Sequence, residues 1–147
     1  MKMSTKGRYG LRFLIDLALY GVAGNVTLKD IARRQGISEK YLWQVANPLK
    51  TAGLIRAEPG AGGGYALARA AEEISLRDVV VALEGEGALV TCVQDPEACG
   101  RAAGCAAREV WAALDERISE AMASFRLSGM VARQRELNVP AARDYCI

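Results

Sequence analysis

The chain has 147 residues, of which 51% are hydrophobic and 24% charged, and it contains four cysteines and no histidine. This composition excludes disordered, fibrous and low-complexity proteins and is typical of one helical domain, or one small domain and an arm. A chain of this length buries only a modest core, so we expect it to oligomerise.

A membrane span and a leader peptide are both disfavoured. No apolar run reaches the roughly 18 to 20 residues of a membrane span. The best candidate, LRFLIDLALYGVAG, is interrupted by Asp16 and has the spacing of an amphipathic core helix rather than of a signal peptide. We therefore expect a cytoplasmic protein without membrane contact. In that reducing compartment, clustered cysteines are expected to bind metal or sense redox state rather than form structural disulfides.

Charge is distributed unevenly along the chain. Residues 1–69 contain eleven Lys and Arg against four acidic residues, a net charge of +7, whereas residues 70–147 contain eight Arg against thirteen acidic residues, a net charge of −5. A basic half followed by an acidic half favours a polyanion-binding module joined to a separate second module. The alternative is two solvated surfaces of unequal charge.

A first helix is predicted from Ser4 or Thr5 to about Val22. Lys6 and Arg8 lie near its beginning, where positive charge opposes the helix dipole. Helix stability does not explain this placement, so we interpret these cations as facing phosphates. Ordinary surface charge is the alternative.

Residues 27–53 predict a helix-turn-helix. Thr27 and Asp30 fit a capping box, Gly36 ends the first short helix, and Ser38 caps the second. The alternative is a helical hairpin within an enzyme.

The second helix of this pair would be the recognition helix on DNA, because its outward side chains can bond base edges or phosphates. These side chains are Ser38, Lys40, Tyr41, Gln44 and Asn47. Pro48 lacks an amide donor and is expected to kink or end the helix near Asn47.

Residues 54–57 and 65–68 have alternating patterns and flank EPGAGGG, which predicts a β-hairpin with a glycine-rich tip. A helix-turn-helix followed by such a hairpin is a winged helix. Gly62 and Gly63 would let the backbone approach a DNA groove closely, although a merely flexible turn has the same composition. No Lys-Ser/Thr follows the glycines, which argues against a nucleotide-binding loop.

Ser75 and Asp78 predict a second capping box, opening a short helix that ends at Gly85. After Cys105, apolar residues at three- and four-residue intervals predict one long helix to about Arg135. Such a helix would be about 45 Å long, more than this domain can cover, so its apolar stripe favours a second chain and a twofold dimer. The alternative is a helix folded back on its own domain.

Cys92, Cys99 and Cys105 lie within fourteen residues in the pattern Cys-x6-Cys-x5-Cys. Thiolates are soft ligands, and these gaps are wider than the Cys-x2-4-Cys pairs usual in zinc sites, so the loop suits an iron-sulfur cluster. The fourth ligand is open: Cys146, a nearby carboxylate, a group of a partner chain or a small molecule. A zinc site and three free thiols are the alternatives.

From Lys6 to the end of the long helix, the chain resembles the winged-helix transcription regulator family of IscR, NsrR and CymR. The segments that carry the resemblance are KGRYGLRFLIDLA, ISEKYLWQVANPLKTAGLI, GGGYALAR, ISLRDVVVALEG and the three clustered cysteines. The resemblance implies a homodimer that binds operator DNA through the helix from Ser38 and through the wing. In the cluster-binding members, a cluster held by the positions of Cys92, Cys99 and Cys105 tunes that binding.

Four positions depart from the family pattern. Arg108 stands where IscR-like members have a histidine, and Arg8 where NsrR-like members have an acidic ligand. Trp43 replaces a glutamate of the recognition helix, and Pro59 an arginine that precedes the wing glycines. The choice between a 2Fe-2S and a 4Fe-4S cluster, the fourth ligand and the operator sequence are therefore not carried over.

These considerations divide the chain into four parts: a winged helix-turn-helix domain (1–87), a cysteine-rich sensor loop (88–106), a dimerisation helix (107–135) and a tail (136–147). The residues assigned to DNA contact are Lys6, Arg8, Lys29, Ser38, Lys40, Tyr41, Trp43, Gln44, Asn47, Gly62, Gly63 and Tyr65. The tail ends in Asp144-Tyr145-Cys146-Ile147 and resembles the tails with which serine acetyltransferase and CymR enter the active site of cysteine synthase.

Three functions are compatible with these sequence features. The first is a homodimeric regulator whose DNA affinity responds to an iron-sulfur cluster. The second is a cluster-free regulator of the same fold that uses thiol switching or binds cysteine synthase through Ile147. The third is a small redox or metal-dependent enzyme, against which stand the absence of histidine and of a paired nucleophile and base. We therefore predict a protein that is not an enzyme.

Overall fold

The computed structural model describes residues 2–140 and is mainly helical, with one β-hairpin. The elements are α1 (Thr5–Tyr20), α2 (Leu28–Gln35), α3 (Glu39–Thr51), β1 (Ile55–Glu58), β2 (Gly64–Leu67), α4 (Leu76–Glu84), α5 (Thr91–Gln94), α6 (Ala106–Ser124) and α7 (Leu127–Asn138). The mainly helical class, the helix-turn-helix and the wing are confirmed. Within residues 2–140, no helix is both long and apolar enough to cross a membrane.

Serine caps set the beginnings of α1 and α4, as the sequence indicates. The hydroxyl of Ser4 accepts from the amide of Gly7, and α1 ends two residues before the expected Val22. Ser75 and Asp78 form the predicted capping box at α4, with each side chain accepting from the other's amide. These bonds satisfy amides that have no partner within the helix.

Two other predicted caps begin the two helices of the helix-turn-helix. Thr27 accepts from the amide of Asp30 and donates its hydroxyl to the Asp30 carboxylate, so the predicted capping box is only half formed. Gly36 ends α2 in the left-handed conformation, and Ser38 accepts from the amide of Tyr41 at the start of α3. The turn between the two helices therefore follows the predicted chemistry.

The core gathers around α1, which packs against α3, α4 and α7. The largest fully buried side chains are Phe13, Leu14, Leu17, Ile31, Leu42, Leu49, Leu54, Ile55, Ile74 and Leu127. Every α-helix of the winged domain contributes at least one buried residue, which fixes the orientation of α3 relative to the remainder of the domain.

Of the predicted kink or end of the recognition helix near Asn47, the end is wrong, because α3 continues through Pro48 to Thr51. Pro48 removes one hydrogen bond, the one to the carbonyl of Gln44. Gln44 is exposed, so water can reach that side of the helix. Leu49 is fully buried directly after the proline, and its packing holds the last turn on the core.

A single helix across residues 107–135 is also wrong. The chain is extended at Phe125 and Arg126, which separate α6 from α7. The carbonyl of Phe125 accepts from the amide of Leu76, and the amide of Leu127 donates to the carbonyl of Ile74, both at 2.8 Å. These bonds interrupt the helix between α6 and α7. Helix α7 then packs against α1, so the fold-back alternative holds for this last part of the predicted helix.

The wing pairs β1 with β2 in an antiparallel register that runs from Ile55 opposite Leu67 to Glu58 opposite Gly64. A Cβ atom on Gly63 would lie 2.2 Å from the carbonyl oxygen of Glu58, so glycine is required there by the turn itself. Tyr65 exchanges two backbone hydrogen bonds with Val26, which ties the wing to the segment before α2.

Candidate functional site: a DNA-contact face and a cysteine loop

The orientation of α3 is set by Leu42, Val45, Ala46 and Leu49, all 0% exposed. These four residues lie on one side of the helix, so the opposite side faces solvent. On it the structure exposes Ser38, Lys40, Trp43 and Gln44, while Tyr41 and Asn47 are half-buried. The residues assigned to base and phosphate contact therefore share one accessible face or its edges, and their contact with DNA stays a prediction.

Tyr41 has a packing role besides its predicted contact. Its ring meets the edge of Tyr9, with ring centroids 5.5 Å apart, and the guanidinium of Arg12 lies 5.4 Å from the Tyr9 ring centre. This cluster joins α3 to α1, which helps to fix the angle of the recognition helix.

The other predicted cations lie on α1 and α2, which both pack against α3. Arg8 on α1 and Lys29 on α2 are exposed, and Lys6 is half-buried. Among residues 2–140, neither these three nor Lys40 forms an ion pair with an acidic side chain. Their charge is therefore available to a polyanion.

The wing residues differ in accessibility. Gly62 is exposed with φ at +75°, in the left-handed region that glycine favours, while Gly63 is half-buried. The ring of Tyr65 packs against Phe13 with centroids 6.1 Å apart, so this residue also supports the core.

Sequence reasoning missed a polar network that fixes the helix-turn-helix. Asp16 is fully buried and accepts from Arg34 Nη2 at 2.7 Å, from Arg34 Nε at 3.0 Å, and from Gln35 Nε2 at 2.9 Å. The hydrogen bond with Asp16 raises the pKa of Arg34, which keeps the guanidinium charged. The Arg34 guanidinium also stacks 4.0 Å from the centre of the Tyr20 ring. An acid within an apolar helix was the available signal, but its partner could not be read from spacing.

The three loop cysteines occupy different local settings. Cys92 lies in α5, Cys99 is exposed between two 3-10 turns, and Cys105 precedes α6; all three are free thiols. Their donor chemistry suits an iron-sulfur cluster. In the described part of the chain, however, no three Cys, Asp or Glu side chains are gathered closely enough to hold one metal ion. Cys146 and Ile147 lie outside the described residues.

The loop is fastened to the helices on both sides. Arg108 Nε donates to the carbonyl of Cys92 at 2.8 Å, so the residue that stands where IscR-like regulators have a histidine holds the backbone of the loop. Asp115 of α6 accepts from the amide of Leu89 at 2.9 Å. Arg77 of α4 donates to the Ser119 hydroxyl of α6 at 2.8 Å. The cysteine loop, α4 and α6 therefore form one connected unit.

Between these elements lies a cleft of about 610 Å³. Its apolar lining includes Val80, Val81, Leu89, Ile118 and Met122. The cleft therefore borders the loop, α4 and α6.

Helix α6 has no fully buried residue within the single chain. Val110, Trp111 and Leu114 are exposed along it, and exposed Phe125 follows its end. Large apolar side chains repeated at helical spacing on an open surface are typical of a protein-protein interface.

Known proteins are similar to this chain in sequence and in fold. The Rrf2 family model, described as an iron-dependent transcriptional regulator, matches residues 3–133. Protein rrf2 of Nitratidesulfovibrio vulgaris is 42% identical over 131 residues, which cover 89% of this chain and 87% of that protein.

Two solved structures are similar over nearly the full chain. CymR, described as the global cysteine regulator of B. subtilis, has a TM-score of 0.76 and 35% identity, covering 90% of this chain and 98% of that one. IscR of T. potens has a TM-score of 0.74 and 36% identity, covering 94% of this chain and 91% of that one.

Proposed function

Because this chain belongs to the Rrf2 family of transcriptional regulators, we propose that it is a homodimer that binds operator DNA, with binding modulated by an iron-sulfur cluster in the cysteine loop. The observation that carries the DNA part is the open face of α3. Four fully buried residues hold that helix, and Lys40, Trp43 and Gln44 project from it. A helix presented in this way fits the major groove.

The proposed dimer rests on α6. Its exposed residues Val110, Trp111 and Leu114 are too large and too closely spaced to be ordinary scattered surface residues. A second copy that packs the same face against them would bury both stripes around a twofold axis. Two recognition helices would then meet two half-sites of a palindromic operator.

The proposed cluster would be held by Cys92, Cys99 and Cys105, with the fourth ligand unassigned. When bound, such a cluster supplies one-electron redox chemistry and sensitivity to oxidants. An iron-sulfur cluster is larger than a single metal ion, which fits the wide spacing of these three cysteines along the loop. The family's description as iron-dependent supports this part of the proposal.

The coupling we propose uses contacts within the chain. Gain or loss of the cluster would act on the Cys92 backbone, which Arg108 ties to α6. Arg77 links α6 to α4, and α4 packs directly against α1 and α3. A change in the loop can thus alter the separation of the two recognition helices, which is the requirement for allosteric control of DNA affinity.

A second candidate is a cluster-free regulator of the same fold. Cys99 is an exposed free thiol, which favours direct oxidation of the loop cysteines. Docking of the tail into cysteine synthase through Ile147 belongs to this candidate too. The enzyme alternative gains no support, since the relatives named above are regulators.

Anaerobic purification followed by gel shifts at several salt concentrations tests the proposal. We expect a brown protein that contains iron and sulfide and binds DNA less tightly as salt rises, because phosphate contacts release counterions. Protein that stays colourless and iron-free after reconstitution would contradict the cluster part of the proposal. DNA binding that responds to peroxide without iron would then favour thiol switching. Salt-insensitive or absent DNA binding would contradict the proposal that the protein is a regulator.

A further inference from the structure

Trp43 is a large apolar side chain left in solvent on the recognition helix. It is 57% exposed, whereas Leu42 and Val45 beside it are fully buried. Residues three and four positions away on a helix are its neighbours on the surface, so Trp43 lies among Glu39, Lys40 and Asn47. An exposed indole among polar and charged side chains is not explained by packing within the domain.

We propose that Trp43 determines operator specificity by contacting the C5-methyl group of a thymine in the major groove. This inference rests on the proposed DNA-binding function and adds the base that the helix reads. The thymine methyl is the apolar group that an A·T pair presents in the major groove. Burying the indole against that methyl removes both apolar surfaces from water.

The surrounding charge identifies DNA as the occupant rather than an apolar protein surface. Lys40 and Lys50 are exposed on the same helix and Lys29 on α2, against one exposed acid beside Trp43, Glu39. The ammonium groups outnumber the carboxylate and can pair with DNA phosphates. An apolar protein partner would instead have to desolvate the same charges without pairing them.

A tryptophan at this position cannot read cytosine by accepting a hydrogen bond. Its indole has a single N–H donor and no acceptor, so it cannot accept a hydrogen bond from the amino group of cytosine. A carboxylate at this position would be able to do so. The chain should therefore prefer thymine where a regulator with glutamate at this position could accept cytosine.

The test begins with operators selected from random double-stranded DNA by the wild-type protein. Each thymine of the selected site is then replaced by deoxyuridine, which removes the methyl and leaves the hydrogen-bonding edge unchanged. We expect one position in each half-site where this replacement weakens wild-type binding about fourfold, the effect of losing one buried methyl group.

The same scan is repeated with Trp43→Ala, Trp43→Phe and Trp43→Glu. The Ala and Glu variants should bind thymine and deoxyuridine sites equally at that position, whereas Phe should retain part of the preference. Val22→Ala, an 82% exposed residue outside α3, is the matched control and should keep the wild-type profile.

Two results would overturn the assignment: no thymine of the selected site responds to loss of its methyl, or Trp43→Ala retains the wild-type profile. Failure of the broader DNA-binding proposal looks different, because the wild-type protein would then select no sequence at all. Circular dichroism of each variant verifies that the exposed substitution leaves the fold intact.

Discussion

The carboxylate of Asp16 and the guanidinium of Arg34 form a doubly hydrogen-bonded ion pair that joins α1 to α2, with Asp16 fully buried. Gln35 completes the pair by donating to the same carboxylate. Arg12 in turn donates to the carbonyl of Gln35 at 2.6 Å. The first helix of the helix-turn-helix is thus fixed to the core by polar contacts at its C-terminal end.

Replacing Asp16 with alanine should destabilise the protein by about 3 kcal/mol, because it leaves the Arg34 charge without its partner. The Arg34 side chain is 24% exposed, which keeps the expected loss at the lower end for buried pairs. Denaturant unfolding measures the change. The matched control is Glu136→Gln, which removes an ion pair whose two side chains are each 66% exposed. It should cost less than about 1 kcal/mol, and equal losses in the two variants would contradict this account.

Local signals predicted the beginnings of the capped helices well. Ser38 and Ser75 cap the helices that the sequence assigned to them, because a cap depends on residues within four positions. The break at Phe125 could not be predicted in this way. Both Phe125 and Arg126 are compatible with a helix, and the break comes from backbone bonds to residues 74 and 76, some fifty positions earlier.

Among the functional residues, too, those set by local helical spacing could be predicted, whereas those set by distant partners could not. The outward face of α3 followed from helical spacing, and the structure leaves Lys40 and Gln44 accessible on it. Asp16 was visible only as an acid in an apolar run, since its partner Arg34 lies eighteen residues away on another helix. The role of Arg108 was equally hidden, because its contact is with the backbone of Cys92 rather than with a recognisable side chain.

The free energy of unfolding should fall in acid as the Asp78 carboxylate is protonated. Burial alone would raise its pKa, but hydrogen bonds from the amide and hydroxyl of Ser75, with the charges of Arg69 and Arg126, outweigh burial and hold the pKa below its usual 3.8. The ionised form is therefore favoured by folding. Its stabilisation is present above pH 3.8 and is lost as the pH falls through the lowered value.

The comparison with Asp78→Asn isolates this effect. The free energy of unfolding of the wild type should exceed that of the variant near neutral pH, and the gap should narrow as the pH falls below 3.8. Denaturant titrations across the acid range measure it. A gap that stays constant to the lowest pH would show that Asp78 does not titrate in the folded protein with a lowered pKa.

Leu114→Asp should convert the proposed dimer to monomers, since it places a charge in the centre of the exposed stripe of α6. Sedimentation velocity distinguishes the two species. Val139→Asp is the matched control, because Val139 is also exposed but lies beyond α7. A Leu114→Asp protein that sediments like the wild type would place the self-association surface elsewhere.

Lys40→Ala should weaken operator binding by a similar factor on every sequence, since a phosphate contact carries no base information. The slope of log K against log salt should fall in magnitude by about 1. Arg133→Gln, an exposed cation on α7, provides the control and should leave the slope unchanged. If Lys40→Ala instead relaxed base preference at one operator position, Lys40 would contact a base edge.

Control of DNA affinity by the cysteine loop is tested most directly by one ratio. It is the operator affinity of anaerobically purified, iron- and sulfide-containing protein divided by that of a variant with Ser in place of Cys92, Cys99 and Cys105. We expect the two affinities to differ by at least about fivefold, the lower range of allosteric coupling, with iron lost from the variant. Equal affinities in proteins that differ in iron content would contradict control of DNA binding by the cysteine loop.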